Sequence, residues 1–186
     1  MINDFLEEVC EELKEIGIDY IVVGGSAIED KGWEIGTYDI DFVLTTKGFS
    51  ELEDRLKESP RFKVVDRIKT MIESEFVFEN TWRTVEFLDP EYFSGKKSGD
   101  EFIDYVKRYR STNKDIGYIA DPEVVFYMRL VITDWEIYVQ KILRDIKAGL
   151  PVTVLDDVLD IAETLGLKEK MKPRVEYTKE IVGSRL

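Results

Sequence analysis

An apolar run that ends in two consecutive glycines is the feature that most constrains the fold of this chain. Residues 19–23, DYIVV, have the composition of a short buried strand, and Gly24-Gly25 interrupts it at once. Ser26 follows where a serine N-cap would open a short helix. Such glycines let backbone N–H groups approach a phosphate, to which Ser26 could donate its hydroxyl. The turn predicts a phosphate-binding element, and a plain strand-to-helix connector is the alternative.

A strand that carries two aspartates is predicted after this turn. Residues 37–46, TYDIDFVLTT, alternate in polarity, so Asp39 and Asp41 would share one face at a spacing of ~7 Å while the opposite face packs on the core. Two carboxylates this close repel each other unless a cation or solvent intervenes. A divalent ion suits the pair because it accepts carboxylate, phosphate and water oxygens together. Two solvated carboxylates on an exposed sheet face are the alternative.

The composition excludes several kinds of catalytic chemistry. The chain has no histidine and a single cysteine, Cys10. Ser-His-Asp and Cys-His catalysis, imidazole zinc sites, thiolate metal clusters and internal disulfides are therefore excluded. Chemistry would have to use carboxylates, lysine, arginine, tyrosine or a metal ion with oxygen ligands. Oxygen ligands favour magnesium, manganese or calcium.

The charge balance limits the partners of the chain. Its 186 residues carry a formal net charge of −13, and 44% of them are hydrophobic, as in a globular protein. Such a field disfavours broad nucleic-acid binding and is easier to reconcile with a small, charged substrate bridged by a cation. The sequence lacks an apolar run of membrane-spanning length, and its acidic start is unlike a secretory signal. We therefore expect a cytoplasmic protein that does not bind membranes.

The remaining patterns predict an α/β (α+β) fold, with a mixed β-sheet, flanking helices and a helical C-terminal part. Predicted helices cover residues 2–16, 49–58, 100–110, 134–148, 153–165 and 173–182, and another begins at Asp121-Pro122. Predicted strands cover residues 62–68, 74–80, 83–89 and 116–120, in addition to the two above. We expect an α/β domain over residues 1–120 and a helical region over residues 121–186.

The glycine turn and the aspartate pair together resemble the first motif of the nucleotidyltransferase superfamily, which has the DNA polymerase β-like fold. That motif consists of an apolar strand, Gly-Gly or Gly-Ser, a short helix and Asp-x-Asp on a second strand, here VVGGSAIEDKGWEIGTYDIDFVL. Within the superfamily, the Gly-Gly-Ser-Ala start and the Gly32…Thr37-x-Asp39-x-Asp41 spacing look most like AbiEii-type and minimal nucleotidyltransferases. The strong match covers residues 19–44, and a weaker match extends over the whole chain.

The resemblance implies a magnesium-dependent transfer of a nucleoside monophosphate from a nucleoside triphosphate to a hydroxyl acceptor. Asp39 and Asp41 would hold Mg²⁺ or Mn²⁺. A third carboxylate on a later strand would complete the metal site and help to deprotonate the acceptor; Glu86 fits best, with Glu75 and Asp66 as competitors. The acceptor could be a small molecule, a tRNA end or a protein side chain. Gly24, Gly25 and Ser26 would contact the nucleotide phosphates.

Basic residues in the helical part are further candidates for triphosphate binding. Lys141 and Arg144, with Lys147, fall near one face of the helix predicted over residues 134–148. Solvated charges paired with Asp145 and Glu136 are the alternative. Loop residues Lys96 and Lys97 could also reach phosphate, but a solvated flexible loop is the favoured interpretation. Trp33, Tyr38 and Trp82 could stack on a base, but buried or half-buried packing is the favoured interpretation.

Two positions depart from the family pattern. Ile35 stands where members of this branch often have a basic residue, and Arg129-Leu130 stands where they often have Lys-Leu. The missing basic residue favours a second hypothesis, a non-catalytic nucleotide-binding or regulatory module that acts with a partner protein of a toxin–antitoxin pair. The three candidate carboxylates favour the enzyme.

Overall fold

The computed structural model describes residues 2–185 of the chain. The helices are α1 (Ile2–Glu15), α2 (Gly24–Asp30), α3 (Thr46–Leu56), α4 (Gly99–Tyr109), α5 (Pro122–Val131), α6 (Glu136–Lys147), α7 (Val154–Thr164) and α8 (Lys168–Arg185). The strands are β1 (Tyr20–Val23), β2 (Ile40–Leu44), β3 (Phe62–Ile68), β4 (Met71–Phe78), β5 (Thr81–Leu88), β6 (Ser111–Lys114) and β7 (Gly117–Ala120). A short 3₁₀ turn lies at Pro90–Tyr92.

All seven strands form one sheet in the order β3-β4-β5-β2-β1-β7-β6. Two of the neighbouring pairs, β2 with β5 and β1 with β7, are parallel, and the other four pairs are antiparallel. The strand directions confirm the expected mixed sheet with flanking helices. The strands that carry the predicted site, β1, β2 and β5, are adjacent in the middle of the sheet.

Aromatic packing defines the core face of the sheet. Phe42 of β2 and Phe87 of β5 stack with ring centroids 5.7 Å apart, and Phe5 of α1 lies 6.2 Å from Phe76 of β4. Because successive strand residues point to opposite faces, Asp41 and Glu86 point away from this core. The period-2 pattern of the sequence thus places apolar residues inside and carboxylates on the other face.

The elements differ from the predicted ones at several places, including the starts of α3 (Thr46 instead of residue 49) and β4 (Met71 instead of residue 74). Strand β2 begins at Ile40 instead of residue 37, and α2 begins at Gly24 instead of Ser26. Strand β6 was not predicted, because its sequence STNK has no apolar residue and its pairing with β7 comes from the turn between them. Helix α8 begins five residues before Pro173, so the proline lies within the helix and omits one backbone donor.

From Pro122 to the end of the described residues, every regular element is a helix. Helix α5 contacts α7 and also α2, so the C-terminal helices pack beside the glycine turn. The division into a domain of residues 1–120 and a helical region of residues 121–186 stays a prediction. Across residues 2–185, no helix has the length and apolar composition needed to cross a membrane.

Candidate active site

The two glycines after β1 make room for side chains of the site. Gly24 has φ +67°, and a Cβ added there would lie 1.7 Å from Oδ2 of Asp41. A Cβ on Gly25 would lie 2.7 Å from both Cβ and Oγ1 of Thr37. Glycine is therefore required here by the close approach of Asp41 and Thr37 to the main chain. Both glycines also line the cleft described below.

Ser26 has a different position from the predicted helix cap. The helix N-cap is Val23, and no side chain caps it. Ser26 is buried inside α2, and its hydroxyl donates to the carbonyl oxygen of Asp39 at 3.0 Å. The prediction of Ser26 as an N-cap is wrong, because the helix begins two residues earlier. Its hydroxyl positions the main chain at Asp39.

The loop before β2 is braced so that Asp39 has a fixed orientation. Thr37 Oγ1 donates to Asp39 Oδ1 at 2.7 Å. Glu29 of α2 accepts hydrogen bonds from the backbone N–H groups of Gly36 at 2.8 Å and Thr37 at 3.0 Å. Sequence analysis missed Glu29, because a glutamate within a short helix gives no signal that it will bind a loop seven residues later.

Asp39, Asp41 and Glu86 come together at one point of the sheet. In the parallel pairing of β2 with β5, Asp41 lies directly opposite Glu86. One carboxylate oxygen from each of the three residues lies within 4.8 Å of the other two. This spacing, and a donor set made only of carboxylate oxygens, fit a magnesium or manganese ion.

The two competing carboxylates lie elsewhere on the sheet. Glu75 of β4 forms an ion pair with Lys63 of β3, with the nitrogen and oxygen 3.6 Å apart. Asp66 is exposed on β3, the edge strand of the sheet. Neither belongs to the carboxylate group formed by Asp39, Asp41 and Glu86.

The three carboxylates lie close enough for their charges to act on one another. Burial raises the pKa of the Asp41 carboxyl well above its usual range, and the negative charges of Glu86 and Asp39 raise it further. The positive charge of Arg129 acts in the opposite direction on the same pKa. A bound cation would relieve this repulsion, as the sequence spacing suggests.

Glu73 is a fourth carboxylate that sequence analysis missed. It lies on β4 directly opposite Glu86 of β5 and lines the same cleft. The strict alternation of buried and half-buried residues along β4 places Glu73 on the same face as Glu75. That alternation is visible in the sequence, but the cross-strand partner of Glu73 is set by register, which the sequence does not give.

The carboxylates lie in a cleft of about 1010 Å³ between the sheet and helices α5 and α6. The helical side includes Arg129 of α5 and Lys141 and Arg144 of α6, whereas Lys147, Lys96 and Lys97 lie outside the lining. The Lys141 ammonium lies 5.2 Å from the ring centroid of Tyr138. The sheet wall of the cleft is therefore acidic, and the helical wall is mainly basic, with Asp134 of the α5–α6 connection as its one acidic lining residue within residues 2–185.

The basic wall is organised by one buried carboxylate. Asp145 is 0% exposed and accepts hydrogen bonds from Arg129 on one oxygen and from Arg144 Nε, at 3.0 Å, on the other. Arg144 therefore pairs with Asp145, as the alternative interpretation of this helix expected. It also lines the cleft. Arg129 is only 8% exposed.

The three candidate aromatic residues have different environments. Tyr38 is 88% exposed and lines the cleft, so the expectation of buried or half-buried packing is wrong for this residue. Trp33 packs partly buried against the core, and Trp82 is exposed at the start of β5, outside the cleft lining. Ile35, at the position where a basic residue was expected, is buried.

Comparison with known proteins finds similarity in structure only. No family model matches the sequence, and no curated protein matches it. Similar solved structures include a presumed nucleotidyltransferase from Thermotoga maritima (15% identity, 76% of this chain and 92% of that chain, TM-score 0.43). Another is a presumed nucleotidyltransferase from H. pylori (11% identity, 96% and 80%, TM-score 0.46). A third is ANT(2")-Ia, solved with adenylyl-2"-tobramycin (14% identity, 98% and 97%, TM-score 0.49).

With TM-scores of 0.43 to 0.49, these likenesses support no conclusion about the site of this chain. At identities of 11–15% they concern the fold alone, and no substrate or activity of this chain follows from them.

Proposed function

We propose that this protein is a nucleotidyltransferase that transfers a nucleoside monophosphate from a nucleoside triphosphate to a hydroxyl acceptor. The observation that supports it is the convergence of three carboxylate oxygens within 4.8 Å of one another in a cleft whose opposite wall is mainly basic. A divalent cation between the walls would join the acidic side to a polyphosphate that the basic side attracts.

In this proposal each group has a defined role. Asp39, Asp41 and Glu86 hold Mg²⁺ or Mn²⁺, which would neutralise charge on the transferring phosphorus and on the leaving pyrophosphate. The acceptor oxygen bonds to the α-phosphorus while the bond from that phosphorus to pyrophosphate breaks. Glu86 accepts the hydroxyl proton, and Lys141 and Arg144 bind the triphosphate.

The phosphate-binding role of the turn is narrower than the sequence suggested. Gly24 and Gly25 remain candidates through their backbone N–H groups, since both line the cleft. Ser26 would contribute indirectly, because its hydroxyl donates a hydrogen bond to the Asp39 carbonyl.

The acceptor is a small molecule, a tRNA end or a protein side chain. The acidic row of Asp41, Glu86 and Glu73 disfavours a nucleic-acid backbone there.

The test is transfer by the purified protein. It is incubated with Mg²⁺ and each of the four common ribonucleoside triphosphates labelled at the α-phosphate, alone and with candidate acceptors. Pyrophosphate release and label transfer are expected, and Asp41→Asn should abolish both. Glu86→Gln should depress turnover more than triphosphate affinity, because its role lies in the chemical step. Equal turnover in Asp41→Asn and the parent would contradict the proposal.

A non-catalytic module is the second candidate function. The buried Ile35, at the position where a basic residue was expected, favours it. Such a module would bind nucleotide and act through a partner protein, as in a toxin–antitoxin pair. It predicts triphosphate binding without transfer across all acceptors tested, and substitutions of the three carboxylates that change affinity only.

A further inference from the structure

The ion pair between Arg129 and Asp145 in the helical wall is buried, which a pair that only holds two helices together does not need to be. Asp145 is completely buried on α6, and the Arg129 side chain that it binds comes from α5 and is 9% exposed. Burying charge carries a desolvation cost, and well-packed apolar residues of similar volume often hold two helices together as well. The charges at this position therefore call for a further explanation.

Arg129 has hydrogen-bond donors that the protein does not use. A guanidinium has five N–H groups. Among the described residues Arg129 has one hydrogen-bond partner, Asp145, and its guanidinium carbon lies 5.9 Å from the ring centroid of Phe126. Among the described residues, no fully buried side-chain nitrogen lacks a partner. The remaining nitrogens of Arg129 therefore keep some exposed surface, and the residue lines the cleft.

Arg129 also lines the same cleft as Asp41 and Glu86 of the carboxylate group. An arginine free to move in this cleft would form an ion pair with Asp41 or Glu86, since guanidinium and carboxylate match in geometry. Such a pair would occupy the oxygens that a metal ion needs.

We propose that Asp145 is a positioning residue that holds Arg129 in the helical wall, where its free N–H groups bind phosphate oxygens and cannot close onto Asp41 and Glu86. Arg144 binds the second oxygen of Asp145, with its Nη2 at 2.9 Å, and thereby fixes the carboxylate that fixes Arg129. This inference rests on the proposed function, because it assumes that the cleft binds a metal ion and a polyphosphate.

The test measures binding instead of turnover. Calorimetry gives the affinity for Mn²⁺ alone, and then for inorganic triphosphate with Mg²⁺, a probe that is independent of the base. Asp145→Asn is expected to weaken both by about tenfold, because the released arginine pairs with the carboxylates. Arg129→Met should keep Mn²⁺ affinity and lose about tenfold in triphosphate affinity.

The double variant Asp145→Asn/Arg129→Met is the decisive measurement. It should recover the Mn²⁺ affinity of Arg129→Met, since the competing cation is gone, and still bind triphosphate weakly. A purely structural role of Asp145 predicts no such recovery. Asp156→Asn is the matched control, because that aspartate is exposed on α7, pairs with Lys179 and should affect neither probe.

Each remaining outcome decides the inference. Unchanged Mn²⁺ affinity in Asp145→Asn, or no recovery in the double variant, overturns it. If Asp145→Asn does not fold, Arg129→Lys decides: its flexible ammonium should weaken both affinities, and parent-like values overturn the inference. A parent protein that binds neither probe overturns the proposed function and this inference together, whereas binding without nucleotidyl transfer refutes only the enzyme.

Discussion

The two walls of the cleft hold opposite charges by different means. On the sheet wall, hydrogen-bonded register puts Asp41 opposite Glu86, and the missing side chain of Gly24 leaves space for the Asp41 carboxylate. On the helical wall, the basic groups Arg129 and Arg144 depend on one buried carboxylate. The acidic wall is therefore fixed by the main chain, whereas the basic wall is fixed by side-chain ion pairs. Adding a side chain to the sheet wall should therefore destabilise the fold. Substituting an ion-paired residue of the helical wall should instead displace its charged side chains.

The largest effect is expected where the main chain of the sheet wall has no spare room. Gly24→Ala should lower the free energy of unfolding by about 3 kcal/mol, because it combines an unfavourable positive φ with a clash against Asp41. Urea denaturation measures the loss. Gly17→Ala is the matched control, since Gly17 has φ +72° with nothing within 4 Å of an added Cβ.

The same variant can show whether the clash or the backbone angle matters. In an Asp41→Ala background, Gly24→Ala should cost about 1–2 kcal/mol, because only the backbone term remains. If the cost is the same in both backgrounds, Asp41 does not limit the space at Gly24. The sheet wall would then not be fixed by close packing of the main chain against Asp41.

A smaller loss is expected on the helical wall. Arg144→Met removes one of the two cations that compensate the buried Asp145, so it should lower the free energy of unfolding. The expected loss is about 1–2 kcal/mol, less than for a buried pair, because Arg144 is half-exposed and solvent screens its charge. Lys141→Met is the control: Lys141 lies over the Tyr138 ring, and its replacement should cost less than about 0.5 kcal/mol. Equal losses would mean that Asp145 does not organise this wall.

A gain in stability is expected when charge is removed from the sheet wall. Folding raises the pKa of Asp41, so the native state binds a proton that the unfolded chain has lost. In metal-free buffer the free energy of unfolding should therefore fall as the pH rises above about 4, toward the higher native pKa. Asp41→Asn removes this contribution and should be more stable near neutral pH, by on the order of 1 kcal/mol.

Denaturation of both proteins from pH 4 to pH 8 in the presence of a chelator checks this prediction. Added Mg²⁺ should stabilise the parent and leave Asp41→Asn less changed, because an ion that binds only the folded state raises its stability. Parallel pH profiles for the two proteins would show that the repulsion at Asp41 is already relieved without a metal ion.

The smallest effect tests the register of β4 with β5. Glu73→Gln should raise the free energy of unfolding by about 0.5 kcal/mol in metal-free buffer, since like charges directly opposite each other are destabilising. Glu75→Gln, two residues along the same strand, breaks an ion pair with Lys63 and should have the opposite sign. The same sign in both variants would indicate that Glu73 does not face Glu86.

The sequence predicts the parts of the molecule in which the signal is local. The apolar run before Gly24, the Asp39-x-Asp41 spacing and the choice of Glu86 follow from short patterns, and so do most helices and strands. The position of Glu73 opposite Glu86 could not be predicted, because it depends on cross-strand register. The pair of Arg129 with Asp145 depends likewise on the packing of α5 on α6.

The predictions for two residues of the site were wrong for a related reason. Ser26 has the residue type of a helix cap, but its hydroxyl bonds to a loop that lies 13 residues away along the chain. Tyr38 is an aromatic residue of the kind that usually packs against a core. It is nevertheless exposed, because β2 starts two residues after it, at Ile40. In both cases tertiary contacts override a local preference.

The position of β1, β2 and β5 in the sheet affects how the molecule opens. Two strands flank this trio on each side, β4 and β3 on one and β7 and β6 on the other. Local opening begins at such edges, so β3 and β6 should exchange their amide hydrogens first, and the central amides should exchange only by global unfolding. Asp41 and Glu86, which lie on these central strands, would thus stay opposite each other in partly opened forms, and their part of the cation site would be among the last to be lost.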